Sequence, residues 1–153
     1  MTPLFKKMNL GAVKTIHVLN APESFEVQLA TLDDVNVSRE PSGRVLFALA
    51  FVRTLNEVAA AAEQLTHALD GDAMLWMAYP KASSKKYNCE FNRDTGWAAL
   101  GQLGYEPVRQ IAIDDDWSAL RFRKAEFIKA MTRHPDGAIS EVGRQKARAQ
   151  REA

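Results

Sequence analysis

The sequence predicts an α/β domain: a mainly parallel sheet of about five to six strands flanked by helices, with an antiparallel C-terminal hairpin. Three observations carry this prediction. Two nearly unbroken apolar runs, Arg44 to Val52 (RVLFALAFV) and Ala73 to Tyr79 (AMLWMAY), flank an amphipathic segment. That segment opens on a helix-capping sequence. Farther on, two strand-like stretches are separated only by Asp114, Asp115 and Asp116, a link too short for a parallel crossover.

Taken in chain order, Thr15 to Leu19 (TIHVL) reads as a short strand. Asn20-Ala21-Pro22-Glu23 then offers a cap, an early proline and a first-turn acid for a helix running to about Leu32. Val35 to Ser38 reads as a short strand or as loop, and Pro41-Ser42-Gly43 as a turn before the Arg44 to Val52 strand. At Thr54-Leu55-Asn56-Glu57 the spacing is that of a capping box, in which a hydroxyl accepts from the third backbone N–H and a carboxylate accepts from the cap. Leu55, Val58, Ala62, Leu65 and Leu69 recur at helical steps behind it, and Gly71 is placed to end the helix. Because strand, helix and strand then follow one another without polar alternation in the strands, the unit reads as a βαβ crossover inside a covered sheet.

Arg93 to Leu103 is expected to be helical, capped by Asn92 or Asp94 and stopped by Gly104. Val108 to Ile113 and Trp117 to Arg123 form the hairpin. In the second of these, Ser118, Leu120 and Phe122 alternate with Ala119, Arg121 and Arg123, so one face meets water or lines a charged site. After Phe127 the apolar content falls, Arg133 to Gly137 reads as a breaker, and no apolar stripe is available to dock the end. The expected organisation is one domain over residues 1–127 and a polar tail over 128–153 without fixed packing.

Composition places the chain among globular proteins: 153 residues, 46% hydrophobic and 25% charged. A formal net charge of +1 argues against a generally cationic, nucleic-acid-binding surface. The single cysteine, Cys89, rules out an intramolecular disulfide framework. The opening residues match neither a secretion signal nor a membrane span, so the expected setting is the cytoplasm.

The stretch from Leu75 to Arg123, with LWMAYPK, NRDTGWAALGQLGYEPVRQ and AIDDDWSALRFR, resembles a bacterial domain-of-unknown-function family of small α/β proteins. The resemblance covers about a third of the chain strongly and the preceding βαβ region loosely. It implies a bacterial origin and a compact α/β domain. It brings no catalytic or binding residues with it.

Ligands of open parallel sheets gather beyond the carboxyl ends of the strands, which here points to the loop from Pro80 to Asn92. Lys81, Ser84, Lys85, Asn92, Arg93 and Asp94 are the candidate ligand-binding residues, with cationic side chains and backbone N–H groups of a following helix available to an anion. A plain solvated loop is the competing reading. The expected function is a non-catalytic module that binds a small anionic ligand or a protein partner there, with no cofactor and no metal.

Two alternatives stand beside it. One is an enzyme acting on an anionic metabolite, with Lys81 and Arg93 orienting substrate and Asp94 or Asp114 as base. The other is weak nucleic-acid association through Arg121, Arg123, Lys124 and the basic C-terminal segment, which includes Arg144, Lys146, Arg148 and Arg151. No dinucleotide, P-loop, hydrolase-elbow or zincin signature occurs. A cation held by Asp114 to Asp116, a reactive Cys89, and Trp76, Trp97 and Trp117 as a base-stacking platform are each outweighed by a structural role: a hairpin turn, an inert thiol and core aromatics. His17, His67 and His134 form no catalytic set in the sequence.

Overall fold

A computed structural model describes residues 3–128 and 138–152 of the chain; the Arg133 to Gly137 breaker and His134 lie outside the described residues. One six-stranded sheet, in the order β2-β1-β3-β4-β6-β5, organises the fold. Its strands are β1 (Thr15–Leu19), β2 (Asn36–Ser38), β3 (Val45–Phe51), β4 (Leu69–Pro80), β5 (Tyr105–Ala112) and β6 (Trp117–Lys124). The first four run parallel, whereas β6 pairs antiparallel with both β4 and β5. This corrects the expectation of a mainly parallel sheet with a terminal hairpin. The hairpin is not an appendage, because β6 is inserted beside β4 over a six-residue register from Leu75↔Phe122 to Pro80↔Trp117.

The helices are α1 (Pro3–Lys7), α2 (Glu23–Leu29), α3 (Leu55–Thr66), α4 (Ala98–Gly101) and α5 (Glu141–Glu152), with a 3₁₀ turn at Ala125–Phe127. Burial on both sheet faces explains the unbroken apolar runs. On one face Ala48, Ala50, Leu75, Met77, Leu120 and Phe122 meet Val58, Ala61, Ala62 and Leu65 of α3 and Leu100 of α4. On the other, Phe47, Leu49, Phe51, Trp76 and Trp117 meet Leu4 and Phe5 of α1 and Phe25 and Leu29 of α2. All three tryptophans are buried, as core aromatics should be. Trp76 also donates its indole N–H to the Met8 carbonyl at 3.1 Å, which ties the opening segment to the sheet.

The Thr54 capping box forms as read: Glu57 N–H donates to Thr54 Oγ1 at 3.1 Å and Thr54 N–H to Glu57 Oε1 at 3.0 Å. Such a cap contributes about 1 kcal/mol. The core face differs in part, since Leu55 is exposed and Leu69 belongs to β4. Gly71 does not end α3, which stops at Thr66. It sits instead at φ +57 in the irregular start of β4, where two residues of β3 span the length of five in β4.

Two further expectations change. The helix expected over Arg93 to Leu103 shrinks to Ala98–Gly101, because Gly96 at φ +91 turns the chain and the Trp97 indole donates back to the carbonyls of Asn92 and Arg93. The segment after Ile128 carries α5, which is anchored at its start by a buried carboxylate rather than by an apolar stripe. Glu106 of β5 is fully buried and accepts from the backbone N–H groups of Ile139 and Ser140 and from the Ser140 hydroxyl.

Candidate functional site

The 81–97 loop wraps around the carboxyl end of β4 from one sheet face to the other, and each stage has an identifiable restraint. Lys81 N–H donates to the Asp116 carbonyl at 2.8 Å. The Ser84 hydroxyl donates to Asp116 Oδ1 at 2.8 Å and accepts from the N–H groups of Lys86 and Tyr87. Tyr87 then packs on Trp117 with ring centroids 5.0 Å apart, while Arg53 and Lys86 each lie 5.5 Å from its ring centre. On the other face Phe91 and Trp97 close on Tyr79 at 6.1 and 5.6 Å.

Glu90 links this loop to α3. Its N–H donates to the Arg53 carbonyl and its carboxylate accepts from Leu55 N–H at 2.9 Å. With the Thr54 box, this carboxylate occupies two of the donors, Leu55 N–H and Glu57 N–H, that the start of α3 would present to an outside anion.

Between the loop and the hairpin lies a cleft of about 950 Å³, bordered among others by Tyr79, Lys81, Asn88, Glu90, Arg93 and Gln110. Its polar floor is a chain of hydrogen bonds. Arg93 Nη1 donates to Gln110 Oε1 at 3.1 Å, and Gln110 Nε2 donates to the Tyr79 hydroxyl at 2.9 Å. Burial pushes the Tyr79 phenol above its ordinary value, with Arg93 pulling the other way. Burial likewise raises the Cys89 thiol, a direction that does not favour the thiolate.

Of the residues singled out in the sequence, Lys81, Ser84, Asn92 and Arg93 border this cleft, whereas Lys85 does not. Ser84 is spent on the loop itself, and Asn92 Oδ1 accepts from Asp94 N–H in a turn. Asp94 lies outside the cleft, in an adjoining depression of about 460 Å³ with Arg93 and Arg109. No helix begins at Arg93, and α4 is only four residues long, so the expected convergence of helical N–H groups is absent there.

Asp114 Oδ1 caps the hairpin turn by accepting from the N–H groups of Asp116 and Trp117. Among the described residues no group of three or more His, Cys, Asp or Glu side chains could hold a metal ion. His17 is buried, with Nδ1 3.0 Å from the Glu40 carbonyl, far from the cleft residues in the sheet order.

Sequence reasoning missed Tyr79, Glu90, Gln110 and Ser118 as parts of the cleft. Gln110 and Ser118 come from the hairpin and reach the cleft only because β6 runs antiparallel beside β4, a pairing that local periodicity does not encode.

No protein-family model matches the chain, and no curated protein matches it. Among the described residues no helix is long and apolar enough to cross a membrane.

Proposed function

We propose that this chain is a non-catalytic module that binds a small anionic ligand in the cleft beyond β4. The observation that carries the reading is the convergence of Lys81 and Arg93, from opposite ends of one loop, on a single cleft whose floor holds the Arg93 guanidinium by hydrogen bonding through Gln110 to Tyr79. The cleft volume is at the upper end of the about 300 to 1,000 Å³ usual for small-molecule sites. Glu90, the acid in its wall, is already committed to the start of α3. An arginine held by a hydrogen bond to Gln110 and a 3.5 Å ion pair with Asp94 loses less freedom on meeting a ligand, which favours binding.

Neither base named for the enzymatic reading borders the cleft: Asp94 borders the neighbouring depression and Asp114 is taken up by its turn. A thermal-shift screen with inorganic phosphate, nucleotides and phosphosugars tests the proposal. The expected result is a stabilising ligand whose affinity falls about tenfold in Lys81→Ala and in Arg93→Ala, the loss of one charge-assisted hydrogen bond. Gln110→Ala should weaken binding by a smaller factor, because Arg93 keeps its charge and loses only its fixed position. No shift with any ligand, or shifts that survive both alanine variants, would reject the proposal.

A further inference from the structure

The hairpin carries a second concentration of charge, on the face opposite α3. Along β6, Leu120 and Phe122 belong to the core under α3, and Trp117 and Ala119 to the core on the other side. By strand alternation Arg121 and Arg123 share the face of Trp117 and Ala119. Arg109 of β5 is the direct antiparallel partner of Arg121, so these two side chains leave the same face of the sheet, with Cβ atoms about 5 Å apart.

The three arginines are not equivalent. Arg123 is neutralised by Asp72 of β4, with Nε 2.9 Å from both carboxylate oxygens and Nη2 2.6 Å from Oδ2. Arg109 and Arg121 have no hydrogen-bond or ion-pair partner for their side chains among the described residues, and Nε of the half-buried Arg121 is enclosed with no acceptor. Burial first, then Arg123, push the Arg121 guanidinium below its ordinary pKa; Asp72 opposes this and Arg109 adds to it. Like charges directly opposed across a ladder destabilise a sheet, and so does an enclosed donor without an acceptor. An anion between the two guanidinium groups relieves the charge repulsion.

We propose that Arg109 and Arg121 form a phosphate-binding site on this face of the hairpin, separate from the cleft around Lys81. Each guanidinium offers a planar fork that matches two oxygens of one anion. A tetrahedral phosphate has oxygens for both forks and carries more than one negative charge. A carboxylate satisfies one fork and neutralises one cation. The phosphate is free or held in an ester, and the backbone of a single-stranded nucleic acid is one carrier of it. Net charge near zero for the whole chain confines such attraction to this patch.

NMR titration of the full chain, following the arginine Nε–Hε signals, tests the site. With inorganic phosphate at constant ionic strength, the Arg121 signal should move, and acetate should act at least about tenfold more weakly. Arg109→Gln and Arg121→Lys should each reduce phosphate affinity by about tenfold. The lysine variant keeps the charge and the fold while removing the fork, and Lys81→Ala should leave the hairpin response unchanged.

A single-stranded oligonucleotide forms the second arm. Binding that phosphate displaces, and that weakens with salt, supports the site with nucleic acid as the phosphate carrier. Phosphate binding without oligonucleotide binding supports it with a small phosphoester. A phosphate response that persists in both arginine variants, an equal response to acetate, or no movement of the Arg121 signal overturns the proposal.

Discussion

Replacing Glu106 by alanine should detach the start of α5, and the loss can be worked from the bonds it breaks. The carboxylate accepts from Ile139 N–H at 2.9 Å, from Ser140 N–H at 2.6 Å and from the Ser140 hydroxyl at 2.5 Å. The Ser140 hydroxyl in turn accepts from Gly143 N–H at 2.9 Å, so one side chain organises the first turn of the helix. A buried donor left without an acceptor costs about 1 to 3 kcal/mol, which for three donors sets an upper range of about 3 to 9 kcal/mol.

The segment can partly lift away and let water satisfy the freed groups, so the lower end, about 3 kcal/mol, is the expected loss. For a domain of this size that lowers the melting temperature by roughly 6 to 12 °C. Glu106→Gln keeps one acceptor oxygen and should lose less than the alanine variant. Thermal denaturation measures the global effect, and amide hydrogen exchange at Ile139 and Ser140 locates it. A melting temperature within about 2 °C of the parent, with both amides still protected, would refute the claim that Glu106 anchors α5.

Tyr105 gives an alkaline signature. Burial, with Glu126 adding to it, raises its phenol from 10.0 to about 12. Because the folded pKa is the higher one, the unfolded chain loses this proton first; stability is intact below pH 10 and declines as pH rises toward 12. The decline from this group approaches about 2.7 kcal/mol at two pH units. Urea midpoints measured at pH 9 and near pH 12 should therefore diverge less in Tyr105→Phe than in the parent, and equal divergence would reject the assignment. Gly96→Ala should cost about 2 to 4 kcal/mol, from a non-glycine residue at φ +91 and a Cβ only 2.5 Å from that of Phe91. Calorimetry measures this, and a neutral effect would mean that the loop does not depend on that turn.

How much of this was legible in the sequence depends on the range of the interaction responsible. The Thr54 box, the apolar β3 and β4 runs and the Gly104 turn at φ +89 are set by neighbours a few residues apart, and each appears where the pattern puts it. The 93–103 segment has the composition of a helix, yet the Trp97 indole and Gly96 hold its first part in a fold-back that no 3.6-residue period reports. The docking of α5 was invisible for a related reason. Periodicity detects apolar stripes, whereas the anchor is one carboxylate 34 positions away from Ser140. Charge in the 81–97 loop did mark Lys81 and Arg93, but composition alone could not separate them from Lys85, which misses the cleft.

The direction of β6 explains why the candidate site lies where it does. In a wholly parallel sheet the carboxyl edge beside β4 would be bordered only by strand ends and helix starts. Here the antiparallel β6 brings its own beginning to that edge, with Trp117 opposite Pro80 and Ser118 opposite Tyr79. The Asp114 to Asp116 turn therefore stands beside the start of the 81–97 loop, and Asp116 fixes it twice, through Lys81 N–H and the Ser84 hydroxyl. From the next strand, Gln110 extends under the loop to join Tyr79 and Arg93. The hairpin is thus both scaffold and wall: its turn restrains the loop, one face floors the cleft, and the other carries Arg109 and Arg121.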